Sequence, residues 1–246
     1  MTQIASHRGG AALWPENSET AFRETLKLGV EQIEFDVQLS ADGVPVIFHD
    51  SMLDRVTNGT GPVGAKTLDE LKALEIFNDG GRILTLDEGL EILAPSDIIL
   101  RCELKPGADM VPYPGIIDKT VGPLTERRLL DRTVITSFHL PTLRQVTPRS
   151  LPLAGLIWLV SDQVFRLCGP ESAVALARDA GITQVAPNQR LLRDGSLQAL
   201  RDAGLEASAF AVLEDEAIEW ACKEGLPVFT TDRPDAALRI RQAKAA

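Results

Sequence analysis

Short runs of branched and aromatic residues alternate with amphipathic stretches from one end of the chain to the other, as expected where parallel strands are joined by covering helices. Eight apolar runs predict strands at Gln3–Ser6, Gln32–Val37, Ile98–Lys105, Thr133–Phe138, Pro152–Val160, Ile182–Ala186, Glu206–Val212 and Pro227–Thr231. The clearest helical periodicity lies between them, at Glu19–Leu28, Leu68–Leu74, Glu171–Ala180, Ser196–Ala203 and Glu214–Glu224. Gly29, Gly181, Gly204 and Gly225 follow four of these helices directly, the residue that helix C-termini favour. Eight strand–helix units predict a (β/α)8 TIM barrel. The rival fold, an open doubly wound sheet, would carry a Gly-rich dinucleotide fingerprint after the first strand, and none is present.

The 246 residues suit one barrel around one core, so positions 1–246 are expected to form a single domain. Asp42-Gly43 predicts a β-hairpin excursion after the second strand. Residues Ser51–Leu84, rich in Gly, Asn and Thr with turn signals at Asn58-Gly59 and Asp79-Gly80, read as a short, elaborated insertion. Two more loops, Pro106–Pro114 and Ser161–Pro170, follow strands and so belong to the C-terminal face, where barrels keep their active sites. The tail after Asp235 reads as a final helix.

Composition narrows the partners. A formal charge of −10 argues against the broad basic surface that nucleic acid requires, while a few cations in one cleft still suit a small anionic substrate. Three cysteines without metal-ligand spacing suit reduced thiols in the cytoplasm. Met1–Ser6 runs straight into the first strand, so no secretory signal segment is expected. The longest strongly apolar stretch, Leu151–Val160, is about half the length of a membrane helix, so no membrane span is expected. Oligomeric state is left open by the pattern.

The ionisable residues at strand ends carry the chemistry. His7-Arg8-Gly9 ends the first strand and places an imidazole and a guanidinium at the rim of a barrel. In Ile33-Glu34-Phe35-Asp36-Val37 the period of two puts Glu34 and Asp36 on one face, where enclosure makes unpaired carboxylates costly, so a metal or cationic partner is expected. If Ala41 pairs with Val44 in a two-residue hairpin, Asp36 faces His49. That register would group Phe35, Val37, Leu39, Val46 and Phe48 on the opposite side. Glu103 and Lys105, also two apart, share a face of the third strand. Glu34, Asp36 and Glu103 supply hard oxygen ligands for one divalent ion, Mg2+ or Ca2+, with Mn2+ as a further candidate. Arg8 and Lys105 add fixed positive charge for an anion whose charge grows in the transition state, which fits phosphoryl chemistry. His7 and His49 can divide the proton transfers, and which acts as base stays open. Phe138 is placed to line the substrate site, and His139 to cap the next helix.

These motifs resemble the glycerophosphodiester phosphodiesterase family. The resemblance rests on His7-Arg8-Gly9 with Pro15-Glu16-Asn17, on Glu34-Phe35-Asp36 with Asp42-Gly43, and on His49-Asp50, Leu53-Asp54-Arg55 and Asn58-Gly59. Weaker echoes continue through Thr85-Leu86, Glu103-Leu104-Lys105, Ser137-Phe138 and Thr231-Asp232-Arg233-Pro234-Asp235, so nearly the whole chain is covered. The resemblance implies a barrel that cleaves a glycerophosphodiester to glycerol 3-phosphate and an alcohol. It implies Glu34, Asp36 and Glu103 as metal ligands, His7 and His49 as the acid/base pair, and Arg8 and Lys105 as phosphate contacts. Glu16 and Asn17 are expected to hold the first loop by hydrogen bonds. Where such proteins commonly carry a Trp on the seventh strand this chain has Phe210, so an aromatic wall remains without an indole donor. The short insertion implies an open site that admits varied head groups. The alternatives are a lyase that converts lysophospholipids to a cyclic phosphate, and a protein that binds phosphodiesters without turnover.

Overall fold

Strands enclosed on both faces must be apolar towards the helices, and the chain meets that demand with Ile33, Phe35, Val37 and Leu39 on one side of a strand whose every residue is buried. The computed structural model describes residues 1–193 and 195–245. Its strands are β1 (Gln3–Ser6), β2 (Gln32–Leu39), β3 (Pro45–Ile47), β4 (Leu84–Thr85), β5 (Ile99–Leu104), β6 (Thr133–Ser137), β7 (Gly155–Val160), β8 (Gln184–Pro187), β9 (Glu206–Ala207) and β10 (Val228–Thr231). The helices are α1 (Glu19–Leu28), α2 (Leu68–Lys72), α3 (Leu86–Leu93), α4 (Ile116–Glu126), α5 (Leu140–Val146), α6 (Asp162–Asp179), α7 (Ser196–Asp202), α8 (Asp215–Lys223) and α9 (Pro234–Ala245).

Parallel pairing runs β10-β1-β2-β5-β6-β7-β8-β9, and the ring closes where Thr230 N–H donates to Ala209 C=O at 2.9 Å. This is the expected (β/α)8 barrel. Its main core lies between strands and helices, with Phe22 and Phe35 packed 5.9 Å apart at its centre. Burying two such rings stabilises the fold by roughly 4–6 kcal/mol. Local signals set the helices: Ser18 accepts from Ala21 N–H at the start of α1, and Thr67–Glu70 and Thr85–Glu88 form capping boxes on α2 and α3. Among the described residues no helix is long and apolar enough to cross a membrane.

The structure corrects five readings of the pattern. The run expected as one strand at Glu206–Val212 is regular only to Ala207, because Ala211 takes a left-handed φ of 56° and the rest crosses the gap by isolated bridges. The run from Pro152 begins as strand only at Gly155, and that from Ile182 is displaced to Gln184–Pro187. Ser161–Pro170 is largely helical, since α6 starts at Asp162, capped by Ser161, and kinks at Gly169-Pro170. The hairpin is shifted by one residue, with Val37 opposite Ile47 and Leu39 opposite Pro45.

The hairpin shift has a clear cause. Gly43 sits at φ 78° and donates to Ser40 C=O, while Ser40 N–H donates to Val44 C=O and Ser40 Oγ accepts from Val44 N–H, closing a three-residue loop rather than a two-residue one. Asp36 therefore pairs with Phe48, whose N–H donates to its carbonyl at 3.0 Å, and His49 lies beyond the paired residues. Val46 and Phe48 lie outside the main core and join Leu53, Val63, Leu71 of α2, Ile76 and Ile83 in a small core of their own. The insertion is thus a packed unit.

A side-chain staple fixes the N-terminal end of the barrel. Arg241 on α9 donates to Thr2 C=O (2.8 Å) and Glu31 Oε2 (2.9 Å), and the same carboxylate accepts from Ile4 N–H (3.0 Å). Burial opposes the charge of Glu31, yet Arg241 and Ile4 outweigh it and hold its pKa below the usual 4.5. A lowered pKa means that this stabilisation is complete above pH 4.5 and is lost as pH falls through the folded value. Arg241→Ala should cost on the order of 1 kcal/mol at pH 7, the partly exposed pair being screened by water. Urea unfolding should show the gap between variant and wild type narrowing as pH falls below 4.5, where Glu31 takes up its proton; a gap constant with pH would contradict the staple.

Candidate active site

Alternation along β2 points Gln32, Glu34, Asp36 and Gln38 into the barrel, where parallel register sets Glu34 beside Arg101 and Asp36 beside Glu103 of β5. The facing part of the interior, from β6 to β8, carries an apolar cluster of Val134, Ile157, Leu159 and Ala186. A cavity of about 250 Å³ opens between the two sides at the C-terminal ends of the strands, lined by His7, Arg8, Glu34, His49, Phe138 and Phe210 among others. Glu103 lines the cavity as well, while Asp36 and Lys105 are outside its lining and join it through Glu103, which Lys105 contacts.

The first loop is shaped by backbone conformation. Arg8, Gly9 and Gly10 all take positive φ, at 50°, 76° and 92°, which folds the chain tightly after Ser6. Arg8 N–H then donates to Glu34 Oε2 at 2.9 Å. Glu16 accepts from Arg8 Nη1 at 2.9 Å, while Asn17 N–H donates to Arg8 C=O (2.9 Å) and Asn17 Nδ2 to Asp36 Oδ2 (2.8 Å). The sequence-based expectation that Glu16 and Asn17 tie this loop agrees with these contacts.

Each imidazole is anchored through Nδ1. His7 Nδ1 is hydrogen-bonded to Asp232 at the end of β10, and its Nε2 stands 3.9 Å from Glu34 Oε2. His49 Nδ1 pairs with Asp50 Oδ1 at 2.6 Å. Such anchors leave Nε2 as the nitrogen available to a ligand. Burial works against a charge on His7, but Asp232 and Glu34 outweigh it and its pKa is raised above 6.5. Burial dominates at His49, aided by Lys105 and Arg8 against the pull of Asp36, and its pKa is lowered.

The carboxylates carry the strongest electrostatic conflict. Oxygens of Glu34, Asp36 and Glu103 lie within 4.8 Å of one another, and all three residues are buried. Burial and the neighbouring Asp36 push Glu34 up to about 7. Asp36 is held well below the usual carboxylate range, because Lys105, His49 and Arg8 overcome the effect of its burial. Lys105 Nζ lies 2.6 Å from Glu103 and 3.1 Å from Asp36 Oδ1, yet Oδ1 makes no hydrogen bond. Three crowded oxygens, with a buried Asp36 oxygen that makes an ion pair but no hydrogen bond, fit a hard divalent cation bound by Glu34, Asp36 and Glu103.

The opposite wall is aromatic. Phe138 and Phe210 meet edge to face with centroids 5.4 Å apart, and Lys105 Nζ lies 5.9 Å from the Phe138 centroid. His139 caps α5, its Nδ1 accepting from Thr142 N–H, and so takes the structural part expected of it. Sequence reasoning passed over Arg101, Asp232, Asp50 and Arg55 as site residues. Arg101 was legible, since it shares the inward face of β5 with Glu103; its burial lowers its pKa to about 10. The other three gain meaning only from partners supplied by the folded chain.

Active sites of (β/α)8 enzymes form at this end of the barrel, so fold and rim together define a barrel enzyme. Comparison with known proteins supplies the family: residues 7–236 match the glycerophosphoryl diester phosphodiesterase family. The chain belongs to that family and is a phosphoric diester hydrolase. A glycerophosphodiester phosphodiesterase of Caldanaerobacter subterraneus subsp. tengcongensis is 31% identical over 246 aligned residues, covering 97% of each chain. A crystallised protein of Agrobacterium tumefaciens str. C58, assigned as a glycerophosphoryl diester phosphodiesterase, superposes with a TM-score of 0.95 at 32% identity, over 100% of this chain and 99% of its own. A phosphodiesterase of Oleispira antarctica, solved with its product sn-glycerol-3-phosphate, has the same fold, with a TM-score of 0.82 at 24% identity over 100% and 98% of the two chains.

The tight first loop depends on Gly9. A Cβ there would stand 2.8 Å from Ala21 Cβ on α1, at a φ that side chains avoid. Gly9→Ala should cost about 2–4 kcal/mol from overpacking and backbone strain together. A urea midpoint equal to wild type would show that the loop can rearrange.

Proposed function

We propose that the chain hydrolyses glycerophosphodiesters to glycerol 3-phosphate and an alcohol at a single divalent ion, Mg2+ or Ca2+, held by Glu34, Asp36 and Glu103. The observation that carries this reading is a cluster of three carboxylates within 4.8 Å at a cavity lined by two of them, Glu34 and Glu103, together with two imidazoles that are both anchored through Nδ1. When bound, such an ion polarises a phosphoryl oxygen and offsets the crowded carboxylate charge.

The remaining work falls to the chain's own residues. Arg8 and Lys105 meet the charge that grows on the phosphoryl oxygens, the first held by Glu16 and the second between Asp36 and Glu103. Of His7 and His49, one takes the proton of the attacking hydroxyl, from water or from the substrate's own glycerol, and the other protonates the leaving oxygen. Asp232 and Asp50 hold the two rings in place for these transfers. Phe138 and Phe210 seat the carbon skeleton of the substrate against the apolar cluster of the barrel. The name of a full-length relative supports glycerophosphodiesters as the substrate class. The whole chain, 1–246, acts in this reading as one barrel domain.

Glycerophosphocholine followed by phosphorus NMR tests the assignment. Turnover should vanish after chelation, return with added Mg2+, Mn2+ or Ca2+, and release glycerol 3-phosphate without an accumulating cyclic phosphate. His7→Ala and His49→Ala should each lower kcat by about 10²–10⁴-fold, the usual worth of a positioned proton-transfer group. Activity within tenfold of wild type in both variants, or full activity in chelator, would overturn the mechanism.

A further inference from the structure

Arg55 stands outside the cavity, yet it touches both halves of the site. Its Nη1 and Nη2 donate to Glu16 Oε2 and Oε1 (2.8 and 2.7 Å), and its Nε and Nη2 donate to Asp50 Oδ2 and Oδ1 (2.6 and 3.1 Å). Both carboxylates already hold a group that lines the cavity. Glu16 Oε1 accepts from Arg8 Nη1, and Asp50 Oδ1 pairs with His49 Nδ1. One guanidinium thus links the loop after β1 to the loop after β3 through an alternating series, Arg8–Glu16–Arg55–Asp50–His49.

The surroundings make orientation, rather than folding, the thing at stake. His49 lies beyond the paired residues of the hairpin, so the sheet does not fix its ring. Its backbone is pinned separately, since Gln38 Nε2 lies 2.7–3.2 Å from the carbonyl oxygens of Phe48, His49 and Asp50. The ring itself is held by Asp50, and the plane of Asp50 is held by Arg55. A lone exposed ion pair would contribute little, but here Glu16 is only 12% exposed and each carboxylate is gripped by two donors of a planar fork. Lysine has no such fork.

We propose that Arg55 is a positioning residue for the hydrolysis, a single guanidinium that fixes the His49 ring through Asp50 and the Arg8 guanidinium through Glu16, keeping the two at one spacing across the cavity. The proposal rests on the reading of His49 and Arg8 as groups that act on the phosphodiester. Removal of a partner that orients a site residue typically lowers function by about 10–100-fold. Arg55→Gln should therefore lower kcat by about 10–100-fold with KM changed by less than about threefold, and Arg55→Lys should not restore it.

Three measurements separate positioning from mere loop stability. Guanidinium ion at millimolar concentration should restore part of the activity of Arg55→Ala, because the vacated position is half open to solvent; sodium chloride at equal ionic strength should not. Glu16→Gln combined with Arg55→Gln should lose far less than the product of the two single losses, as members of one linkage do. Nitrogen-15 NMR of the His49 ring needs no turnover, and should show one tautomer in wild type and averaged shifts in Arg55→Gln. Wild-type kcat and wild-type His49 shifts in Arg55→Gln would overturn the proposal. So would a fall in kcat that follows Tm and is not rescued by guanidinium. A wild-type protein that turns over no diester with any metal would sink the functional reading instead, leaving the NMR comparison to decide the linkage.

Discussion

Three carboxylates held within 4.8 Å inside a closed barrel cannot all keep their charge unless cations are built around them. Two like charges 4 Å apart repel by about 4 kcal/mol at an effective dielectric near 20, so the cost of the triad rivals a large part of a domain's net stability. The fold enforces the crowding, since period-two alternation on β2 and the Asp36–Glu103 register leave these side chains nowhere else to point. Lys105 and Arg8 answer part of the charge and Arg101 lies alongside Glu34, yet Glu34 still rises to about 7. The cluster is short of positive charge.

The other features of the site follow from that shortage. Arg8 is turned into the cavity by a left-handed backbone that Gly9 and Gly10 continue, and its own N–H is spent on Glu34. Lys105 sits between two acids and beneath an aromatic ring. The apolar cluster of the barrel and the Phe138–Phe210 pair face the charged side across the cavity, a setting of low polarity that strengthens electrostatic interactions. The histidines are tuned in opposite directions by their surroundings, Asp232 raising His7 and burial lowering His49.

Much of this was legible in the sequence because the signals were periodic and local. Eight apolar runs separated by helical stretches gave the barrel, and period-two spacing put Glu34 with Asp36 and Glu103 with Lys105. The hairpin shows where local reading stops. Asp42-Gly43 can close a two- or a three-residue loop, and the choice was made by the Ser40 side chain and the left-handed Gly43. His49 does reach the cavity with Glu34, but through the chain beyond the hairpin and not through pairing with Asp36. Asp232 lies 225 residues from His7, and Arg55 lies 39 from Glu16, so no spacing rule connects them. Arg101 could have been found by the same alternation that gave Glu103.

The three carboxylates form a cluster able to hold one divalent cation. Isothermal titration of Mg2+ or Mn2+ into chelator-treated protein tests it without substrate. One ion per chain is expected for wild type, and no measurable binding for Asp36→Asn at equal stability. A wild-type protein that binds no ion at millimolar concentration, or an Asp36→Asn variant that binds as tightly as wild type, would contradict it.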